Sequence, residues 1–384
     1  MYDNAYQIIT LHIQTLNLRN FRNYENLELS NISSSRVVLI GDNAQGKSNL
    51  LESISFLAFG ASYRATKENE VIGWNGNEAG IYSELATNTS TKQLSLILRK
   101  NAVKTIKVDG VNVKRMAKFI GNVKIVLFSS EDLQLIKGAP SERRTFADKL
   151  LVQVYSNYYH QLQVYNKILQ QRNHALKNIR ETGNKQDLSI WDEQIVDVSV
   201  DIYESRYNLI KLLSSLVTIY HQQIANPDEK VELKYISSIP DIDFENFDRD
   251  QIKNNIISHL AKNSYKEIAR GQSLYGPHRD DISFFINGRE AKSYASQGQQ
   301  RTLVLSLKLS EIKYIKELTG EVPLLLLDDV MAELDHTRQK HLLELVGLDT
   351  QTFITTTHLE DFSETWLKTS SVLKVSGGKI LDYA

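Results

Sequence analysis

The chain has 384 residues, of which 41% are hydrophobic and 24% charged, and its formal net charge is −1. This composition is typical of a globular protein with room for two or three domains, and any nucleic-acid surface on it has to be local. The absence of cysteine excludes disulfides, thiolate metal sites and cysteine catalysis. No apolar run reaches the roughly 18 residues of a membrane-spanning helix, and residues 1–11 lack a signal-peptide pattern, so we expect a cytoplasmic protein without a membrane partner.

Hydrophobic periodicity divides the chain into strand-like and helix-like segments. The expected strands are 8–19, 25–29, 36–40, 79–86, 93–99, 103–108, 123–128, 281–287, 322–327, 351–356 and a closing pair near 372–382. The expected helices are 49–57, 141–180, 189–225, 251–269, 298–317 and 336–346. The alternating segments between 79 and 108 predict an antiparallel sheet, and the acidic stretch 240–250 predicts a solvated loop.

The two long helical segments carry apolar residues at steps of three and four, and Thr182-Gly183-Asn184 between them is a turn signal. Two long amphipathic helices joined by a short turn predict an antiparallel hairpin. We therefore expect an α/β fold, with a mixed sheet core and an antiparallel β subdomain, that is interrupted by an inserted α-helical hairpin arm. The predicted divisions are 1–140 and 273–384 for the two parts of the α/β head and 141–272 for the arm.

The segment Gly41-Asp42-Asn43-Ala44-Gln45-Gly46-Lys47-Ser48 fits the Walker A pattern G-x-x-x-x-G-K-[ST]. It lies between a predicted strand and a predicted helix that opens with Asn49, so backbone N–H groups and the positive end of the helix dipole would face a phosphate. Lys47 is predicted to reach the β- and γ-phosphates of ATP, and the Ser48 hydroxyl to bind Mg²⁺. The alternative is a chance match in a glycine-containing turn.

Four leucines, Leu324–Leu327, precede Asp328 and Asp329, as in a Walker B strand covered on both faces. Asp328 is predicted to hold Mg²⁺ through water, and Asp329 to polarise the attacking water. An aspartate pair after an apolar strand is common by itself, but downstream of a Walker A segment it indicates an ATPase.

Three further segments have the order expected of an ABC-type ATPase. Ser296-Gln297-Gly298-Gln299 precedes a long predicted helix and resembles the signature motif, whose serine contacts a γ-phosphate bound to a second subunit. An ordinary helix N-cap is the alternative for Ser296. Glu333-Leu334-Asp335 resembles the D-loop at a subunit interface. His358, after a predicted strand, matches the switch histidine that touches the γ-phosphate, with a plain polar surface residue as the alternative.

A basic stretch contrasts with the near-neutral chain. Eight basic residues and one acid, Asp109, give it a local charge of +7 (8 − 1). The basic residues are Lys92, Arg99, Lys100, Lys104, Lys107, Lys114, Arg115 and Lys118. The stretch predicts a surface that contacts DNA phosphates without reading sequence, and the solvated face of a sheet is the alternative. Four residues of the predicted arm are the next candidates: Arg143, Arg144, Arg172 and Lys177.

Together these segments resemble the RecF family of bacterial recombination-repair proteins, which are related to SMC-type ATPase heads. Further matching stretches are Leu18–Tyr24, Ser130–Leu133 with Lys137-Gly138 and Arg143-Arg144, and Gly276-Pro277-His278-Arg279-Asp280-Asp281. The resemblance implies an ABC/SMC-type P-loop ATPase head with weak, DNA-stimulated ATPase activity, an ATP-dependent homodimer, and work with the mediators RecR and RecO. It also implies that Arg19 and Arg22 lie near the nucleotide. Related heads usually carry Asp-Glu where this chain has Asp328-Asp329, and the Q-loop residue stays unassigned.

Three functions are compatible with a P-loop head. The favoured one is a DNA-binding protein of recombinational repair and replication-gap processing, in which ATP binding drives head dimerisation and slow hydrolysis resets it, supporting recombinase loading and SOS induction. An energy-coupling ATPase of a transporter normally has a much smaller insert between the Walker A and signature segments. An SMC-like structural ATPase needs coiled arms of hundreds of residues, which this chain does not have.

Overall fold

The computed structural model describes residues 9–32, 34–88, 90–183, 188–225, 227–345 and 349–382. Its strands are β1 Ile9–Phe21, β2 Tyr24–Leu29, β3 Arg36–Ile40, β4 Glu78–Thr87, β5 Thr91–Arg99, β6 Ala102–Val108, β7 Val111–Asn112, β8 Ile125–Ser129, β9 Val231–Ile236, β10 Asp281–Ile286, β11 Arg289–Glu290, β12 Glu321–Val322, β13 Leu324–Asp328, β14 Thr352–Thr356, β15 Ser371–Ser376 and β16 Lys379–Asp382. Its α-helices are α1 Lys47–Phe59, α2 Gln134–Lys137, α3 Pro140–Val154, α4 Tyr158–Thr182, α5 Ser189–Ile224, α6 Arg249–Arg270, α7 Ala291–Tyr294, α8 Gln297–Thr319, α9 His336–Leu345 and α10 Glu364–Leu367.

The chain forms two compact units. The first comprises Met1–Asp132 and Val304–Ala384, and the second is Leu133–Leu303. The sequence-based boundaries at 141 and 272 differ from this division because β9 pairs with β10 in the second unit. That pairing joins a strand after 272 to one before it, so the strands β10 and β11 belong with the helices rather than with the head.

The first unit contains a six-stranded sheet in the order β16-β15-β3-β14-β13-β8. Every pair in it is parallel except β15 with β16. All four leucines of β13 are fully buried, as are Val37, Val38 and Leu39 of β3, which fits parallel strands covered on both faces. This sheet confirms the predicted strands at 36–40, 123–128, 322–327 and 351–356.

A second sheet in the same unit has the order β12-β1-β4-β5-β6-β7, with β2 paired to β1. Its pairs are antiparallel except β1 with β12, which confirms the antiparallel sheet predicted between 79 and 108. The alternating residues Leu94, Leu96 and Leu98 of β5 point into the core. Helix α1 is buried around most of its circumference and shares one hydrophobic cluster with both sheets.

The second unit contains the predicted helices and a three-stranded sheet, β11-β10-β9. Strand β9 was not predicted, although Val231–Ile236 alternates between buried and exposed positions. The expected helix over 141–180 is in fact two helices, α3 and α4, because Tyr155 adopts an extended backbone conformation. Helices α4 and α5 are the predicted pair, and Asn184 of the predicted turn lies outside the described residues. Across the part of the chain that the structure describes, no helix is long and apolar enough to cross a bilayer.

Candidate nucleotide site

Four strand ends of the six-stranded sheet meet at one edge. In the parallel register, Ile40 lies opposite Thr356, and Asp328 lies between Thr355 and Ser129. The loops that follow these strands therefore emerge side by side. The Walker A segment, the aspartate pair and His358 come from three of these loops, so the first compact unit brings these predicted residues to the same edge.

Two glycines of the Walker A segment are required by their surroundings. A Cβ on Gly41 would lie 2.3 Å from the carbonyl oxygen of Val375, so no other residue fits there without a backbone shift. Gly46 has φ 119°, a conformation that side chains disfavour, and a Cβ on it would lie 2.7 Å from the Asn23 amide nitrogen. The close approach keeps the loop wound tightly against its neighbours.

The loop is held by hydrogen bonds from outside it. Asn23 Nδ2 donates to the Gln45 carbonyl oxygen at 2.9 Å, and the Tyr24 hydroxyl donates to the Gly46 carbonyl oxygen at 3.0 Å. The N–H of Gly378, between β15 and β16, also donates to the Gln45 carbonyl oxygen, at 3.0 Å. These three bonds hold the loop in its conformation through contacts within the protein itself.

Lys47 begins α1 and its side chain is buried, with 4% of its surface exposed. Its ammonium donates to the carbonyl oxygens of Gly41 and Asp42 at 2.7 and 3.0 Å. Among the described residues, the partners of this buried ammonium are carbonyl oxygens rather than a carboxylate. The N-terminus of α1 adds its own partial positive charge, so the loop favours an anionic group.

Asp328 joins the two nucleotide motifs. Its Oδ1 accepts a hydrogen bond from Ser48 Oγ at 2.6 Å and another from Thr355 Oγ1 at 3.0 Å. Its Oδ2 accepts a bond from the Tyr63 hydroxyl at 2.9 Å. Burial, and then the Asp328 carboxylate, raise the pKa of Tyr63 far above its usual value, so this hydroxyl stays a donor.

The oxygen atoms of Ser48 and Asp328 are of the kind that Mg²⁺ prefers. Among the described residues, no cluster of three or more His, Cys, Asp or Glu side chains could hold a metal ion by itself. A magnesium ion at this point would therefore depend on nucleotide and water oxygens as well, which suits Mg²⁺ because it dehydrates reluctantly. The residues present fit the predicted site.

Asp329 follows the strand end in a left-handed backbone conformation with φ 54°. Its N–H donates to Thr355 Oγ1 at 2.8 Å, and the same hydroxyl lies 3.3 Å from Asp329 Oδ1. Thr355 thus contacts both aspartates and was missed by sequence reasoning. His358 is exposed, and the structure places its backbone through two hydrogen bonds with Thr356 Oγ1, at 2.9 and 3.1 Å.

The two arginines expected near the nucleotide have different surroundings. Arg22 makes a bidentate ion pair with Glu52 of α1, at 2.7 and 2.8 Å, and donates to the Glu70 carbonyl oxygen at 2.9 Å. Arg19 is exposed on the antiparallel sheet, with its guanidinium carbon 5.7 Å from the centre of the Tyr82 ring. Arg22 therefore lies beside the P-loop helix, whereas Arg19 packs on a ring of the sheet.

A cavity of about 590 Å³ opens beside Asn49, next to the P-loop. One wall is an aromatic side chain, Trp74, which is 96% exposed. The other lining residues are mostly polar or basic: Arg22, Asn23, Asn49, Arg64, Asn69, Glu70, Ile72 and Lys100. Arg22 and Asn23 belong to the matching stretch Leu18–Tyr24, and Asn49 follows the Walker A segment, whereas Arg64, Asn69, Glu70, Ile72 and Trp74 lie in the loop after α1, which matches no motif.

Ser296 caps α8 in the second unit. Its Oγ accepts a bond from the Gln299 N–H at 3.2 Å, and its own N–H donates to Gln299 Oε1 at 3.0 Å. This reciprocal pair is a capping box, so the helix-cap interpretation describes the local geometry. The exposed Ser296 remains compatible with a role toward a second subunit, and that role stays a prediction.

The predicted DNA-contacting lysines do not share one surface. Lys104 is half-buried, pairs with Glu68 and donates to the Gly60 carbonyl oxygen at 2.8 Å. Lys107, three positions along the same strand, lies on the opposite face. Arg99 pairs with Glu78 at 3.1 Å. Lys92 donates to Asn122 at 2.9 Å. Within the described residues, Lys107 and the exposed Lys100, Lys114, Arg115 and Lys118 form no ion pair, so these five are available to phosphates.

The arm residues proposed as second candidates have structural partners. Arg143 pairs with Asp281 at 2.7 and 2.9 Å, and Arg172 with Asp192 and Glu267 at 2.6 Å each, with both arginines buried. Arg144 donates to the Asp280 carbonyl oxygen at 2.7 Å. Lys177 lies on the exposed surface, 3.8 Å from Glu181. Arg143 and Arg172 are thus part of the interior of the second unit and are not exposed for contact with DNA phosphates.

The stretch Gly276–Asp281 forms part of that interior. The buried Asp280 carboxylate accepts bonds from the Tyr235 hydroxyl and, at 2.7 Å, from the Ser238 N–H. His278 Nδ1 lies 2.6 Å from the Tyr165 hydroxyl, and burial lowers the pKa of His278 to about 4, so the imidazole is neutral at physiological pH. These contacts give the stretch a structural role in holding β10 and the helices together.

The fold and the edge of the six-stranded sheet define a P-loop ATPase head of the ABC and SMC kind. The sequence matches the RecF/RecN/SMC N-terminal domain family over residues 12–380. A "DNA replication and repair protein RecF" from Rippkaea orientalis is 39% identical over 381 residues, covering 96% of this chain and 99% of the relative. One from Lachnoclostridium phytofermentans is 40% identical over 370 residues, with coverages of 96% and 99%. The chain belongs to the RecF family.

Solved structures agree with this placement. The recombination mediator protein RecF in its ATP complex, described as part of the RecFOR pathway, is 33% identical, with a TM-score of 0.90 and complete coverage of both chains (100% each). An SMC head domain from Pyrococcus furiosus is 14% identical with a TM-score of 0.54, covering 97% of this chain and 96% of the head, which shows a shared fold alone.

Proposed function

We propose that this chain is an ATP-switched DNA-binding protein of DNA replication and recombinational repair. In this proposal, ATP binding drives two heads to dimerise on DNA, and slow, DNA-stimulated hydrolysis resets them. The observation that carries it is the 2.6 Å bond between Ser48 and Asp328, because it joins the P-loop to the Walker B carboxylate at one point. The names of the 38–40% identical relatives support the role in replication and repair.

The residues at this edge of the six-stranded sheet would have different roles in ATP binding and hydrolysis. Lys47 would exchange its two carbonyl partners for phosphate oxygens, and Ser48 with Asp328 would hold Mg²⁺. The ion, when bound, neutralises phosphate charge and orients the chain of phosphates. Asp329 would polarise the attacking water, and His358 would approach the γ-phosphate from the next loop. Ser296 would complete the site of a second copy, so hydrolysis would require the dimer.

The partner set is DNA, a second copy of the chain, and mediators of the RecR and RecO kind, with loading of the recombinase and SOS induction as the outcome. The placement of the ATP-bound relative in the RecFOR pathway supports this choice. An SMC-like structural role is not favoured, because the longest arm helix, α5, has 36 residues. At 1.5 Å per residue it spans only about 54 Å. A transporter ATPase is not favoured either, since the relatives named above are repair proteins.

Lys47→Ala tests the proposal, with Lys67→Ala, an exposed lysine of the loop after α1, as the matched control. Lys47→Ala should lose ATP binding, DNA-stimulated hydrolysis and ATP-dependent dimerisation while its circular dichroism stays unchanged, because the phosphates lose their main cation. Fluorescent-nucleotide titration, phosphate release with and without duplex DNA, and light scattering measure the three effects. Normal hydrolysis by a folded Lys47→Ala protein would refute the assignment.

A further inference from the structure

A chain of polar side chains, buried at one end and exposed at the other, links the end of the long helix α5 to the start of α8, within the second compact unit. His221, in the last turn of α5, is fully buried, and its Nε2 lies 2.7 Å from Glu229 Oε2. The other carboxylate oxygen of Glu229 accepts a hydrogen bond from Gln299 Nε2 at 2.7 Å. One carboxylate therefore bridges a residue of the arm and a residue of the signature segment.

Gln299 passes this connection on to Ser296. Its side-chain oxygen accepts the Ser296 N–H, so its side-chain nitrogen is the atom that faces Glu229. The orientation of the amide is fixed from both sides, since the carboxylate can only accept and the backbone N–H can only donate. Ser296 Oγ in turn accepts the Gln299 N–H, which leaves the hydroxyl proton of this exposed serine available to an outside oxygen atom.

The capping box alone is a modest restraint. An N-cap is worth about 1 kcal/mol, and a bond to an ionised carboxylate is roughly twice as strong as one between neutral groups. Without Glu229, the Gln299 amide would be free to turn toward water and release the Ser296 N–H. Within the described residues, the buried His221 Nδ1 has no hydrogen-bond partner. The imidazole is therefore held through its other nitrogen, Nε2, by the bond to Glu229.

We propose that Glu229 is a positioning residue that fixes the signature segment to the end of helix α5 and thereby favours ATP-dependent dimerisation. The inference rests on the proposed function, because Ser296 acts on the nucleotide of a second copy only when two heads associate. The inference assigns a role at the signature segment to Glu229, a residue that lies outside all of the predicted motifs. It also couples helix α5 of the arm to the signature segment, since a displacement of the last turn of α5 would move Gln299 through Glu229.

Four variants test the proposal in the full-length protein. Glu229→Ala removes both bonds, Glu229→Gln keeps an acceptor for Gln299 without the charge, and Glu229→Asp shortens the carboxylate. Glu232→Ala, in the neighbouring strand β9 and exposed, is the matched control. Hydrogen exchange of a peptide covering 291–303, followed by mass spectrometry without nucleotide, measures the restraint on the segment. Light scattering with ATP and Mg²⁺ measures dimerisation, and fluorescent-nucleotide titration measures nucleotide affinity.

Glu229→Ala should exchange about ten-fold faster in this peptide and dimerise about ten-fold more weakly with ATP, the effect of one lost charge-assisted bond. Its nucleotide affinity should equal that of the wild type, because the P-loop is untouched. Glu229→Gln should keep the wild-type nucleotide affinity and stay within about three-fold of the wild type in exchange and dimerisation, since it retains a neutral hydrogen bond of about half the strength. Such rescue by the conservative variant separates positioning from a general loss of charge.

Two results would overturn the proposal: wild-type exchange and dimerisation in Glu229→Ala, or an equal loss in Glu229→Gln and Glu229→Ala. If Glu229→Ala does not fold, Glu229→Asp carries the test, with a smaller rise in exchange expected and wild-type exchange counting against the idea. A wild-type protein that does not dimerise with ATP would refute the proposed function instead. The exchange comparison would still decide whether Glu229 restrains the signature segment.

Discussion

The ion pair between Arg22 and Glu52 yields the sharpest prediction for the P-loop. Glu52 lies on α1 one turn after Ser48, and its carboxylate is fully buried. Both of its oxygens accept bonds from the Arg22 guanidinium, and the Ser62 hydroxyl adds a third. Arg22→Ala would leave this carboxylate inside the protein with a single neutral donor.

The magnitude follows from burial. Removing one partner of a fully buried ion pair costs about 3–5 kcal/mol, because the remaining charge is neither paired nor hydrated. The Arg22 side chain is 22% exposed and Ser62 remains, so water and a hydroxyl would recover part of the loss. We expect the free energy of unfolding to fall by about 2 kcal/mol. ATP affinity should also fall, since α1 loses one of its links to the β1–β2 turn and keeps the bond from Asn49 Nδ2 to Asn23 Oδ1.

Urea unfolding followed by circular dichroism measures the loss. Arg22→Ala combined with Glu52→Gln should be more stable than Arg22→Ala alone, because no buried charge is left without a partner. The matched control is Arg19→Ala, an exposed arginine on the same strand, which should stay within about 0.5 kcal/mol of the wild type. An Arg22→Ala protein as stable as this control, or a double variant no more stable than the single one, would refute the reasoning.

Three other predictions concern ligands. Nucleotide binding should quench the fluorescence of Trp74 in the cavity beside the P-loop, and Trp74→Phe should lose this signal but keep its affinity; an unchanged signal would place the nucleotide elsewhere. Asp329→Asn should bind ATP and hydrolyse it at least about 100-fold more slowly, whereas Asp328→Asn should weaken Mg²⁺-dependent binding; identical Mg²⁺ titrations would contradict this division. Lys107→Ala should weaken DNA binding and flatten its log–log salt dependence by about one unit, and Lys104→Ala should leave the slope unchanged; equal slopes would refute the separation of faces.

The contiguous motifs could be predicted because each carries its own local geometry. Gly41–Ser48 requires its glycines wherever it occurs, and the leucines before Asp328 require a buried strand. Tyr63 and Thr355 could not be predicted in this way. Each is a single polar residue in an ordinary segment. The parallel register sets Thr355 opposite Asp328, and a tertiary contact of the loop after α1 brings the Tyr63 hydroxyl to the same carboxylate.

Periodicity and charge counting also have physical limits. The apolar steps continue from Leu151 to Tyr158 although the helix stops between them, since the break preserves the buried face. Counting charges along 92–118 cannot tell which face of a strand each lysine occupies. Lys104 and Lys107 are three positions apart, a spacing that would place them on one side of a helix but places them on opposite sides of a strand.

The backbone at Asp329 gives a physical reason for an aspartate where related heads usually carry glutamate. Its φ of 54° lies in the left-handed region, where aspartate and asparagine are several-fold enriched over other non-glycine residues. The hydrogen bond from its N–H to Thr355 Oγ1 holds the turn in that conformation. A glutamate at this position would extend further toward the attacking water, but it would be less stable in the left-handed backbone conformation.

Asp329→Glu separates the two effects. We expect the free energy of unfolding to fall by about 1 kcal/mol, the lower end of the usual cost of a left-handed conformation. We also expect faster single-turnover hydrolysis, because the longer carboxylate would lie nearer the attacking water. Rapid-quench measurements with saturating ATP, together with urea unfolding, test both effects. Unchanged stability would refute the backbone argument, and slower hydrolysis by a stable variant would show that Asp329 already has the reach that the reaction needs.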